Sequence, residues 1–128
     1  MNEMATMLEI ETLPGRDNER VLTLVLHGEL SLDELRCIGE QLLQLATRGL
    51  RNVVLDFTEV DHLDYRGLAP LAARAELLRR AGGDIKVAAL SGYLAHIFRA
   101  AGAHDFFKFF ADPANARASF AEASPPTE

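Results

Sequence analysis

The spacing of apolar residues along this chain changes period several times, and each change marks an element. Met7 to Leu13 (MLEIETL) alternates weakly and predicts a strand. Pro14-Gly15-Arg16-Asp17-Asn18 is dense in turn formers, and Arg20 to Leu26 (RVLTLVL) predicts a second strand. Two strands with so short a turn between them form a hairpin, which makes the first an antiparallel edge. After His27-Gly28-Glu29-Leu30, the run Ser31-Leu32-Asp33-Glu34 fits a capping box, in which Ser31 and Glu34 satisfy each other's backbone N–H. Leu35, Ile38, Leu42 and Leu45 follow at helical spacing, and Arg48-Gly49 supplies a cationic last turn and a stop.

Asn52 to Phe57 is an apolar run bounded by polar residues, the signature of a central strand covered on both faces. A turn is expected through Thr58 to Leu63. The next helix carries Leu68, Leu71, Ala75 and Leu78. Pro70 cannot donate to the helical ladder and crowds the carbonyl of Arg66, so the regular helix should begin near Gly67 with Asp64 to Arg66 just outside it. Gly82-Gly83 ends that helix. Asp84 to Leu90 predicts a strand, and Ser91 caps a helix carrying Tyr93, Leu94, Ile97, Phe98 and Ala101. Phe106 to Phe110 predicts a short aromatic strand, and Asp112-Pro113 opens a final helix that ends near Ala123. Ser124 to Glu128 is expected to be a frayed tail. The order β-β-α-β-α-β-α-β-α implies one α/β domain over residues 1–128, with a core at about 7–123. Its sheet is mixed and mostly parallel, with an antiparallel first strand.

Charge narrows the function. Thirteen basic residues against nineteen acidic ones leave a net charge of -6. With no Lys/Arg run, the chain is a poor candidate for nucleic acid or for an anionic membrane surface. No apolar run approaches the roughly 20 residues needed to span a bilayer, so no membrane insertion is expected. The start MNEMATMLEI lacks a basic stretch followed by an apolar one, so no signal peptide is expected either. Cys37 is the only cysteine and no internal disulfide can form, which is compatible with a reducing cytoplasm, the expected location.

Candidate chemistry is sparse. His27, His62, His96 and His104 are dispersed, without metal-ligand spacing, and no phosphate-cradling glycine loop is present, so no metal or cofactor is expected. Cys37 reads as a small buried hydrophobe beside the apolar stripe, with no base at helical spacing. Asp56, Glu59, Asp61 and Asp64 are dense enough to suggest acid/base or Mg2+ chemistry, but a solvated loop with Asp64 as a helix cap accounts for them. Nothing here demands catalysis.

The strand-to-helix corner, with its flanks, resembles a STAS domain, the fold of bacterial anti-sigma-factor antagonists. The family pattern is a strand ending Asp-Leu/Phe-Ser/Thr, a short apolar turn, then Asp-Ser-Ser/Thr-Gly-Leu opening a helix. Here it reads Leu55-Asp56-Phe57-Thr58, Val60, Leu63, then Asp64-Tyr65-Arg66-Gly67-Leu68. Gly28-Glu29-Leu30 matches a Gly-Glu-Leu-Asp motif. Ala81-Gly82-Gly83, Ala89-Leu90-Ser91 and Phe98-Arg99-Ala100-Ala101-Gly102 match downstream. The resemblance covers roughly Met7 to Ala123. It implies a non-catalytic domain that regulates transcription by binding an anti-sigma factor, itself a serine-kinase-like ATPase, and that is released when the Ser or Thr before the glycine is phosphorylated. A phosphate there adds about -1.5 to -2 charge at the interface.

This chain departs at that position. The acceptor is Arg66 and the preceding residue is Tyr65, neither a substrate for a Ser/Thr kinase, and the family's Asp after Gly-Glu-Leu is Ser31. No phosphorylation is therefore expected at the corner. The docking surface implied by the resemblance comprises Ser31, Asp61, His62, Asp64, Tyr65, Arg66, Gly67 and Leu68. Arg66 is either a binding anchor, in a domain that binds constitutively or takes a different, acidic partner, or an exposed residue left after loss of the switch. Other roles open to the fold are an accessory subunit of an ABC lipid-transport complex and a nucleotide-binding regulatory domain.

Overall fold

A computed structural model describes residues 5–12 and 20–122 of the chain. The turn expected at Pro14 to Asn18 and the tail from Ser124 lie outside these residues. The elements run β1 (Ala5–Thr12), β2 (Arg20–Leu30), α1 (Leu32–Ala46), β3 (Asn52–Leu63), α2 (Leu68–Arg80), β4 (Asp84–Ala88), α3 (Gly92–Ala100), β5 (Lys108–Phe110) and α4 (Pro113–Glu122). Short 3-10 turns at Tyr65–Gly67 and His104–Phe106 precede α2 and β5. The five strands lie in sequence order in one sheet; β1 pairs antiparallel with β2, and β2 through β5 are parallel.

Strand alternation sorts the core into two layers. Leu22, Leu24, Val53, Leu55, Ile85 and Val87 face α1, α2 and α3 in the larger cluster. Phe98 of α3 anchors one end of it, meeting Phe57, Phe107 and Phe109 edge-on at ring-centroid distances of 5.9, 5.7 and 5.5 Å. On the opposite face Val21, Val54 and Ala88 pack against Ala116 and Phe120 of α4. Lys86, buried in β4, lays its amine 3.9 Å from the centre of the Phe120 ring and donates to Ser119 Oγ at 2.7 Å.

The helix starts follow their sequence signals. Ser31 and Glu34 form the reciprocal capping box, Ser31 Oγ accepting from Glu34 N at 3.1 Å and Glu34 Oε1 from Ser31 N at 2.9 Å. Ser91 caps α3 through Leu94 N, and Asp112 caps α4 through Asn115 N.

The strand ends differ from the sequence reading. β2 and β3 continue to Leu30 and Leu63, through the segment read as a turn. Their parallel register slips after Val25↔Asp56 and again after Gly28↔Val60, so β3 accommodates two extra residues. Phe57, Val60 and Leu63 are buried at intervals of three, not two, which disguises the strand. Asp56 fills the first irregularity, its Oδ1 accepting from Thr58 N at 2.9 Å and Thr58 Oγ1 at 2.6 Å. Gly28 supplies the left-handed φ of 79° on β2. β4 is shorter than predicted because Ala89 turns out of extended geometry at φ 66°. β5 pairs with Lys86 to Ala88. Phe106 is not in the strand; it lies in the 3-10 turn before it and is half exposed. Cys37 is exposed, not buried: it lies off the Leu35–Ile38–Leu42 stripe of α1.

The corner itself is seated by close packing. A Cβ added at Gly67 would lie 2.5 Å from Leu35 Cδ1 and 2.8 Å from Leu35 Cβ. Gly67→Ala should cost about 1–3 kcal/mol of stability, the range for overpacking a filled core. Urea denaturation checks this; a loss below about 0.5 kcal/mol, the level of a neutral surface change, would mean that Leu35 yields freely.

Candidate functional site

Four elements converge at the carboxyl ends of β2 and β3. Leu30 ends β2 and Leu63 ends β3, both fully buried and paired in register, and Asp64 N donates to Leu30 O at 2.9 Å, extending the ladder by one bond. Ser31 then opens α1 and Asp64 opens the corner. From the far side, α3 brings Tyr93 and Ile97. Together these line an open groove of about 580 Å3 with an apolar floor of Leu30 and Leu63.

At the corner, Asp64 Oδ1 accepts from Arg66 N at 3.0 Å, capping the 3-10 turn. The same carboxylate is gripped by the Arg66 side chain. Arg66 Nε donates to Oδ1 and Oδ2 at 3.0 and 3.2 Å, and Nη2 to Oδ2 at 2.6 Å. This is the two-pronged geometry that a planar guanidinium makes with a carboxylate. The Arg66 guanidinium, then its backbone amide, holds the Asp64 carboxyl down at about 2, and Asp64 in turn raises the guanidinium above its ordinary value. Arg66 is thus not a free cation; its charge is closed on its own turn.

The expected site residues separate into two groups. Ser31, His62, Asp64, Tyr65 and Arg66 line the groove. Tyr65 is 63% exposed, unusual for a large aromatic side chain. Asp61 is exposed beside His62 but does not line the groove. Gly67 and Leu68 are buried: Leu68 is at 0% exposure in the core and Gly67 is against Leu35, so they support the corner from beneath and do not present side chains to a partner.

Five lining residues were not anticipated from sequence: the floor residues Leu30 and Leu63, and Glu29, Tyr93 and Ile97. Tyr93, read as part of the apolar face of α3, is 54% exposed. Its ring stacks on His62 with centroids 5.8 Å apart, and its hydroxyl lies 2.7 Å from His62 Nδ1. Glu29 stands beside His62 as its cross-strand neighbour, and Ile97 closes the α3 side. The one sequence signal available was that Tyr93 and Ile97 are four apart on a helix whose buried positions are Leu94 and Phe98. Among the described residues no group of three or more His, Cys, Asp or Glu could hold a metal ion, and no helix is long and apolar enough to cross a membrane.

The Asp64–Arg66 pair predicts a pH dependence. A carboxyl whose folded pKa is about 2, against an ordinary 3.8, favours the folded state fully above about 3.8, and that contribution fades as pH falls through 2. Carboxyl-carbon NMR should give Asp64 a midpoint near 2 in the wild type, moving toward 3.8 in Arg66→Ala. An unmoved midpoint would mean that the side-chain pair does not persist in solution.

A sequence model of the STAS domain matches residues 14–116. No curated protein gives a significant sequence match. Among solved structures, the chain superposes on the unphosphorylated anti-sigma factor antagonist SpoIIAA, a Bacillus protein, with TM-score 0.71 and 14% identity, over 91% of this chain and 97% of that one. An anti-sigma factor antagonist from Mycobacterium paratuberculosis gives TM-score 0.67 and 19% identity, over 88% and 92%. The murine anion transporter Slc26a9 gives TM-score 0.64 and 17% identity over 81% of this chain but only 18% of the transporter. At these identities the superpositions establish the fold, and the family match spans most of the sequence: the chain belongs to the STAS domain family.

Proposed function

We propose that this chain is a non-catalytic regulatory module that docks a protein partner through the Asp64–Arg66 corner and does so without a Ser/Thr phospho-switch. The partner class is an anti-sigma factor of the serine-kinase-like ATPase type, or another signalling protein. The observation that carries the reading is Arg66. It stands at the position that resembles the phosphoacceptor, and its guanidinium is already bonded to Asp64. SpoIIAA exists in unphosphorylated and phosphorylated forms; here no hydroxyl of Ser or Thr is present between Asp64 and Gly67. Exposed Tyr65 and Tyr93 flank the groove, the residue type that most often anchors protein interfaces. The carboxylates nearby have structural partners or lie in solvent: Asp56 is spent on Thr58 and Asp64 on Arg66. Such an arrangement suits recognition better than acid/base catalysis.

The chain should be tagged and recovered with its partners from its own cell lysate, beside Tyr65→Ala, which removes an exposed side chain of the corner. The wild type should retain a sigma-pathway ATPase, and the variant should bind it at least about fivefold more weakly, the effect of losing one interface anchor. Adding Mg-ATP should leave the complex intact and this chain's mass unchanged. Phosphate transfer to the corner with release of the complex, or equal retention by both forms, would overturn the reading. Recovery of transport-complex subunits would assign the domain to an ABC system instead.

A further inference from the structure

The charge of the groove specifies its partner further, on the reading that the corner is a docking site. The lining holds two carboxylates, Glu29 and Asp64, against one guanidinium, Arg66, and that guanidinium is closed on Asp64. Glu29 is exposed and makes no ion pair or side-chain hydrogen bond among the described residues. It stands in register beside His62, whose ring is stacked on Tyr93. Two further exposed carboxylates, Glu59 and Asp61, lie on β3 within three residues of His62, outside the groove lining. Neither makes an ion pair among the described residues. An acidic partner would meet uncompensated negative charge here, and the one nearby arginine could answer it only by giving up Asp64.

We infer that the groove takes a cationic side chain, an arginine, from a basic segment of the partner protein, seated between Tyr65 and Tyr93 with its head at Glu29. The chemistry fits at three points. Two exposed tyrosine rings line the groove, and aromatic rings attract a planar guanidinium. The apolar floor of Leu30 and Leu63, with Ile97 beside it, suits the methylene stem of a long basic side chain. Glu29 supplies a carboxylate that makes no ion pair among the described residues, available for two-pronged pairing. The Asp64–Arg66 pair then acts as a neutral rim that keeps Arg66 from repelling the incoming cation. Without Asp64 the same arginine would oppose it.

Short capped peptides carrying two arginines, or two glutamates, in an otherwise alanine and leucine background test this by NMR on the full-length, isotope-labelled chain. The arginine peptide should shift the amides of Glu29, His62, Tyr65 and Tyr93 in a saturable way. Glu29→Gln should weaken its apparent affinity about two- to fivefold, as should raising the salt from about 0.05 to 0.5 M, in keeping with one solvent-accessible ion pair. Tyr93→Ala should weaken it by a similar factor through lost stacking. Glu29 is an exposed surface position, so the Gln variant should fold as the wild type does, and its spectrum reports that directly. If the glutamate peptide shifts these amides instead, the groove is a docking site of the opposite charge and the inference fails while the functional reading stands. If the arginine peptide shifts nothing, or shifts other surfaces and is indifferent to Glu29→Gln, the inference also fails. The functional reading is judged separately by capture with the Tyr65→Ala variant.

Discussion

The candidate site depends first on the register between β2 and β3. These parallel strands form the middle of the sheet, and both run on past the point where ordinary alternation would end them. Two register slips let β3 carry extra residues while still turning Val60 and Leu63 into the core. Because Leu63 pairs with Leu30, the next residues on each strand, Asp64 and Ser31, emerge side by side. One opens the corner and the other caps α1. A slip by one residue would send Leu63 to solvent and part the two helix starts. Asp56 and Thr58 stabilise this irregular stretch, which gives the Asp-Phe-Thr motif a structural explanation in this chain.

Local signals were readable wherever they act over one helical turn. The Ser31 and Ser91 caps, the Asp112-Pro113 opening and the Asp64 cap are properties of three or four consecutive residues, and each forms as the chemistry of capping predicts. The strand extension was hidden for a physical reason. A bulged strand buries residues at intervals that period-two reading assigns to a turn, and Thr58 and Glu59 fall together on the exposed side. Cys37 and Phe106 were misplaced because burial near the end or side of an apolar stripe depends on what lies opposite. Phe106 falls in the 3-10 turn that precedes β5, outside the strand.

The groove was only half legible. Its β2, β3 and corner walls come from segments close to the motif, but Tyr93 and Ile97 arrive from a helix some thirty residues away. Nothing in the spacing of α3 says that its Tyr93 side meets His62; that is a consequence of α3 packing Leu94 and Phe98 beneath β3. The state of Arg66 was equally out of reach. Sequence places an arginine where the family resemblance expects an acceptor hydroxyl, and a lone cation there favours an acidic partner. On the proposed reading, the bidentate bond to Asp64, two residues away, points instead to Glu29, which makes no ion pair among the described residues.

On the proposed reading, control of binding differs in kind from a phospho-switch. A phosphate changes the charge at an interface by about -1.5 to -2 within a covalent step, and so can break a complex that was stable a moment earlier. The Asp64–Arg66 pair contributes no net charge, and above about pH 4 the carboxylate stays ionised, since its pKa is held near 2. No kinase acting on Ser or Thr can alter it, and no pH change in the neutral range can either. On the proposed reading the corner is a surface of constant charge. Occupancy is then set by the concentration of the partner and by competitors for the same basic segment, through mass action. A domain of this kind holds its partner in proportion to its own abundance, which makes its level in the cell the regulated quantity.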